Sequence, residues 1–335
     1  MSSPTYYLMT IDTEEEWDWN AGCPTGKPVV TNHRILPRFQ ALCNRYGVAT
    51  TYFTNLAVLE DGEASQTLRE LSRQPRVEIG MHIHPWNTPP VATATTDTAE
   101  SSFLHNLPKP LIQAKLDSVY NAFLDRGYRP VSFRGGRYSC GPVVQRYLQE
   151  RGFVAECSVV PYTTWPDEGS PDYRSRDLLP VRIPPREPGQ TPLWELPLTL
   201  GFSRRPFGWW SRCFETVERS WLRKLRLIGL AEKLGLVRKV WLNFEIGDRS
   251  DWMPFLQLLR SMEIPCLCFT VHSSSLAAGP GPYTKTKDDE ERIFQHIERM
   301  FAALSKCPEF VPATAGEFAQ LWEQRHAGSG NLPPR

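Results

Sequence analysis

Val77-Glu78-Ile79-Gly80-Met81-His82-Ile83-His84-Pro85-Trp86 alternates in the manner of a strand, and in a strand residues i and i+2 point to the same side. His82 and His84 can therefore converge beyond its C-terminal end, where Pro85 stops the strand. Two imidazoles held this way can chelate a metal, and a carboxylate from a neighbouring strand end would complete a minimal open site. Two ordinary loop histidines bonded to backbone would carry the same short signature. What decides between them is what else reaches that end of the fold.

On the N-terminal side, residues 6–11 read as a buried strand that ends in Asp12-Thr13-Glu14-Glu15-Glu16. Asn32 stands where it can cap a helix through Tyr46, and residues 49–53 form the next strand. Residues 63–73 give a short helix leading to the His82/His84 strand. Beyond it come a long polar loop at 91–106, a helix to about Asp125, a strand at 130–133 that delivers Arg134, a helix at 142–151 and a strand at 154–159. Residues 193–198, 240–244 and 265–271 read as later strands, the last ending at His272, with helices at 252–262, 289–304 and 315–324 and a short strand at 311–314. Strands alternating with helices argue for a parallel sheet. The expected fold is α/β, a distorted (β/α) barrel of about seven strands, whose chemistry sits at the C-terminal strand ends.

One domain over residues 1–327 accounts for the chain, with loop insertions near 87–108 and 160–192 and a flexible tail at 328–335. The 160–192 stretch carries eight prolines and offers Tyr162, Trp165 and Tyr173 to a substrate groove. Residues 204–239 hold ten Lys or Arg against three Glu, interleaved with Leu, Ile and Trp. Such a segment can lie on an anionic membrane face, although an outer helix packed on the barrel is the plainer expectation.

Of the 335 residues 22% are charged and the formal charge is +1, which gives no reason to expect a nucleic-acid partner. The eight cysteines are scattered through a chain too long to need disulfide staples. The opening MSSPTYYLMTID has no basic leader, and no segment reaches about 20 continuous apolar residues. The expectation is a cytoplasmic protein, peripheral to the inner face of the membrane if residues 204–239 bind there.

Four strand ends thus carry reactive groups: Asp12 with Glu14, His82 with His84, Arg134, and His272. One of the two carboxylates can ligate metal while the other handles a proton. Arg134 can hold a carboxylate through its fork of donors, and His272 suits a neutral-pH acid.

The ordered set resembles the polysaccharide deacetylases of the NodB-homology type, the carbohydrate esterase family 4 group. Thr10-Ile11-Asp12-Thr13-Glu14 is similar to that family's first motif, and Glu78-Ile79-Gly80-Met81-His82 to the lead into its metal-binding histidines. Phe133-Arg134-Gly135-Gly136-Arg137-Tyr138 resembles its arginine motif, Leu193-Trp194-Glu195-Leu196-Pro197-Leu198 its fourth motif, and Phe269-Thr270-Val271-His272-Ser273-Ser274 the motif of its general acid. Two departures stand out. Thr13 replaces the second of two adjacent aspartates, so that Glu14 or Asp12 itself must supply the metal carboxylate. Trp86 occupies the usual place of the second histidine, in a variant His-x-His-Pro-Trp motif where His84 would substitute.

The resemblance implies hydrolysis of an N-acyl group, acetyl or formyl, from an amino sugar or a glycan intermediate, a lipid-linked one included. It implies a divalent metal, zinc by default, on Glu14 or Asp12 with His82 and His84. Asp12 would be the base, Arg134 its brace and His272 the acid, with Tyr138, Trp194 and Trp86 as candidate substrate contacts. The altered histidine motif leaves open an allantoinase-like amidohydrolase acting on a non-sugar amide or ureide. The missing aspartate leaves open a carbohydrate-binding protein with a decayed site.

Overall fold

The computed structural model describes residues 3–327 except 18, 20, 21, 25, 92–98, 166, 167, 222–225, 246–251 and 280. The expected tail at 328–335 lies outside the described residues, as do parts of the 91–106 loop and of the basic segment. Eleven strands appear among the described residues: β1 Thr5–Thr13, β2 Thr50–Thr54, β3 Val77–Ile83, β4 Ser132–Gly135, β5 Ala155–Glu156, β6 Val181–Ile183, β7 Leu193–Glu195, β8 Leu200–Phe202, β9 Lys239–Trp241, β10 Cys266–His272 and β11 Phe310–Pro312.

The main sheet runs β10-β1-β2-β3-β4-β5-β7-β6, with β11 also on β1. It is parallel throughout except for β6, which pairs antiparallel with β7. The sheet curls into an open half-barrel, the architecture expected from the alternation of strands and helices. Among the described residues no ladder links β7 onward to β10, but Leu196 and Leu198 donate to the carbonyls of Glu156 and Val159, and Thr199 donates to that of Cys268. Individual backbone bonds thus lead the chain from β5 across to β10.

β1 is buried along its whole length, as a central parallel strand covered on both faces should be. Tyr7, Met9 and Ile11 pack in the large core under the helices, whereas Tyr6 and Leu8 belong to a second cluster with Phe53 and Cys268. Two-residue periodicity then sends Thr10 and Asp12 to the second side, where Thr10 and Asp12 both meet the Arg134 side chain. Helices Leu36–Arg45, Gly62–Ser72, Lys109–Asp125 and Pro142–Glu150 intervene between the strands from β1 to β5. Each turns an apolar stripe inward, such as Leu116, Val119 and Phe123. Burying one such side chain contributes roughly 1.5–3 kcal/mol.

Several local expectations change. Asn32 does not cap a helix: it lies in a short 3-10 turn, Thr31–Ile35, and its side-chain amide donates to the Glu14 carbonyl at 3.0 Å. The loop after β1 folds back over that turn and competes for the amide. The strand expected at 240–244 is shorter, and β9 pairs antiparallel with β8, a partner too short to stand out in the sequence. The basic segment divides in two. Helix Phe207–Arg219 buries Phe207 and Phe214, whereas helix Leu227–Lys233 has no fully buried residue and only half-buries Ile228 and Ala231 against the core. No helix among the described residues is long and apolar enough to cross a membrane.

Candidate metal centre and active site

β3 ends with the two histidines on one point. His82 Nε2 and His84 Nε2 lie 3.1 Å apart, and Glu14 Oε2 is 3.3 Å from the first and 2.9 Å from the second. All three side chains are buried. A tetrahedral ion with bonds of about 2.0–2.1 Å spaces its ligand atoms about 3.3 Å apart, so the three atoms already stand near the edges of such a polyhedron. Of the two carboxylates left open by the sequence, Glu14 joins this cluster. Asp12 turns to Arg134 instead, its Oδ1 accepting from Nη1 at 2.6 Å.

The outer hydrogen bonds fix the proton on each ring. His82 Nδ1 faces the Arg134 carbonyl at 2.8 Å and His84 Nδ1 faces Glu15 Oε1 at 2.7 Å, and neither partner can donate. Both Nδ1 atoms therefore carry hydrogen. Were both rings neutral, their Nε2 lone pairs and the Glu14 oxygen would converge on one point, which is the donor arrangement of a divalent cation site. Burial works against charge on His84, yet Glu15 and Glu14 outweigh it and lift its pKa to about 10. Burial would likewise raise the Glu14 pKa, but the charges of His84 and His272 and hydrogen bonds from His82 and His84 hold it well below the ordinary range. The same concentrated negative field draws a metal ion.

Glu15 is the most heavily bonded group behind the cluster. Its Oε1 accepts from His84 Nδ1, Trp86 Nε1 at 3.3 Å and Asn87 Nδ2 at 2.6 Å, and its other oxygen accepts from Asn55 Nδ2. The turn after β4 closes the cluster from the other side. A Cβ on Gly136 would lie 2.5 Å from both His84 Cδ2 and the Ile83 carbonyl oxygen, so only glycine admits the two strand ends this close. Arg137 and Tyr138 follow with φ of 51° and 58°, left-handed conformations that side chains other than glycine seldom take.

A buried arginine, an aspartate and a histidine sit beside the cluster. Arg134 is fully buried, with Nε on the Cys157 carbonyl, Nη2 on Thr10 Oγ1 at 2.9 Å and its guanidinium 4.5 Å over the Phe53 ring. His272 Nδ1 donates to Glu245 at 2.8 Å, and its Nε2 faces Asp12 Oδ2 at 3.7 Å. Burial opposes charge on His272, but Glu245, Glu14 and Asp12 raise its pKa to about 10.

These groups open into a cavity of about 740 Å³ whose walls include Trp17, Trp19, Trp86, Tyr138, Trp165 and Trp241. Tyr138 stacks with Trp165 at a centroid distance of 6.4 Å, and Trp19 meets His272 edge-on at 4.7 Å. Trp86 lies flat on His84 at 4.2 Å and is 5% exposed, which makes it a wall behind the ligand more than a platform for substrate. Trp194 is not at the cavity. It is buried on β7 with its indole N–H on Glu323 and its ring against Trp322, because helix Ala315–Ala327 covers that face of the sheet. Glu15, Glu245, Trp19 and Trp241 were not singled out from the sequence. Glu15 lay within the acidic run after β1, and Glu245 closes the expected 240–244 strand just as His272 closes its own.

No family model and no curated protein matches the chain by sequence. Solved structures do match by fold. One assigned as a polysaccharide deacetylase from Mycobacterium smegmatis aligns with a TM-score of 0.56 at 14% identity, covering 99% of this chain and 93% of that one. The PuuE allantoinase gives 0.52 at 12%, covering 98% and 91%. One assigned as a polysaccharide deacetylase from Pseudomonas aeruginosa PAO1 gives 0.51 at 14%, covering 96% and 91%. At these identities the likeness is one of fold, and the chain therefore shares the curled α/β architecture of polysaccharide deacetylases and an allantoinase, with a Glu14–His82–His84 cluster of its own at the strand ends.

Proposed function

We propose that the chain is a metal-dependent hydrolase that removes an N-acyl group, acetyl or formyl, from an amino sugar or a glycan intermediate. One observation carries the proposal: a three-donor metal cluster, an arginine-braced aspartate and a carboxylate-paired histidine share one aromatic-walled cavity. Glu14, His82 and His84 would hold the ion. Two imidazole nitrogens and one carboxylate oxygen suit zinc, and cobalt, nickel or ferrous iron would accept the same set. When bound, such an ion lowers the pKa of a neighbouring water and polarises an amide carbonyl.

The chain's own groups supply the remaining chemistry. Asp12 Oδ2, the oxygen left free by Arg134, accepts the proton of the attacking water. Arg134 keeps that carboxylate in place through a charge-assisted bond. His272 Nε2, on the same side, donates a proton to the departing amine, and Glu245 steadies the imidazolium through Nδ1. Tyr138, Trp165 and Trp241 give flat apolar faces on which a sugar ring can lie.

The test is release of acetate or formate from N-acylated hexosamines and their oligomers by zinc-loaded protein, with ureides in parallel. His82→Ala should lose both metal and turnover. His272→Ala should keep its metal while kcat falls by about 10²–10⁴. Ureide turnover in place of sugar turnover, or unchanged activity in His82→Ala, would overturn the proposal.

A further inference from the structure

Residues 203–238 leave the ribbon at β8 and return to it at β9. Their first helix is fixed to the barrel through Phe207 and Phe214, which meet Phe202. The second only half-buries Ile228 and Ala231. Among the described residues ten large hydrophobic side chains are exposed, and Trp209, Trp221, Leu230, Leu234 and Leu236 are five of them. Trp221 is 71% exposed and Leu234 63%. Leu230 and Leu234 are one helical turn apart, so they share a face.

Charge gathers in the same stretch. Residues 204–239 carry a surplus of seven positive charges in a chain whose net charge is +1. Exposed tryptophans and leucines amid cations match the interfacial layer of a bilayer and the anionic headgroups above it. A second copy of this chain is a poor occupant, because a two-fold contact would press two such cationic patches together.

We infer that the 203–238 insertion docks this protein on an anionic membrane surface. The patch is tied to the cavity at two points. β9 ends in Trp241, which lines the cavity against Tyr138, and Glu215 of the first helix pairs with Arg174 at 2.6 Å. Arg174 belongs to the Pro-rich excursion that also contributes Trp165 and Glu168 to the cavity. Docking there brings the cavity walls close to the lipid and favours an amide-bearing headgroup or lipid-carried glycan over a freely diffusing one.

The experiment is co-sedimentation of the full chain with phosphatidylcholine vesicles and with vesicles containing phosphatidylglycerol, at low and high salt. Partition onto the anionic vesicles should exceed that onto the neutral ones by about ten-fold or more and collapse in high salt. A Leu230→Ser, Leu234→Ser, Leu236→Ser variant should lose this binding. An Arg226→Gln, Lys233→Gln variant should weaken it by about five-fold per charge. Both should retain the wild-type circular dichroism and melting temperature, since the leucines replaced are exposed. Absent binding, equal binding to both vesicles, or a stable dimer dissolved by the leucine substitutions would overturn the inference. None of these readouts depends on which amide the active site cleaves.

Discussion

Replacing Glu15 by glutamine isolates the contribution of the group behind His84, a residue of the candidate metal cluster. The side chain keeps its shape and loses its charge. In the wild type the His84 Nδ1–H bond to Glu15 is 2.7 Å long and charge-assisted, and two further donors reach the same oxygen. A hydrogen bond to a charged group contributes about 1.5–3 kcal/mol and a neutral one about 0.5–1.5, so the exchange costs about 1–2 kcal/mol at His84. The glutamine amide must also find room among donors, because Asn55 Nδ2 already faces the second oxygen. Loss of an outer partner of a metal histidine lowers affinity by about 10–100-fold, and the bond energies place this case near the lower end. Competition with a chromophoric chelator at fixed pH measures it. Zinc affinity of Glu15→Gln should fall about 10–30-fold, and that of Glu14→Gln much further, since it loses a ligand. A folded Glu15→Gln protein with affinity within about two-fold of wild type would refute the role given to Glu15.

Two further predictions concern stability. Lys115 is fully buried, and its Nζ donates to the carbonyls of Pro85, Thr88 and Pro90 at 2.7, 2.6 and 2.9 Å; Lys115→Met strands three acceptors and should cost about 3 kcal/mol in urea denaturation, at about 1 kcal/mol each. Glu156 is buried on β5, and burial raises its pKa to about 7. It holds its proton more tightly folded than unfolded, so its contribution is full below the unfolded carboxylate value and is lost as pH rises towards 7, by about 3 kcal/mol at most. Urea midpoints across that window should fall in the wild type more than in Glu156→Gln, and parallel curves would count against it.

What could be read from the sequence was local. Side-chain direction along a strand follows from alternation alone, so the meeting of His82 and His84 was legible in ten residues. The acidic run after β1, Arg134 after β4 and His272 after β10 were legible as strand ends, because a parallel sheet gathers such ends on one side. The choice between Asp12 and Glu14 was not, since it depends on where the Arg134 guanidinium lies across the sheet. Trp194 was rightly placed on a strand, but nothing nearby in sequence says that a helix more than a hundred residues later covers its face. β6 and β8 have three residues each and take their register from distant partners. Asn32 met the pattern of a helix cap, yet a carbonyl from a neighbouring loop claimed its amide.

Arg134 touches two parts of the candidate site through different parts of itself. Its carbonyl orients His82, and its guanidinium orients Asp12. A change at Arg134 therefore disturbs the orientation of the His82 ring and of the Asp12 carboxylate together, which couples the candidate metal cluster to the candidate base through one residue.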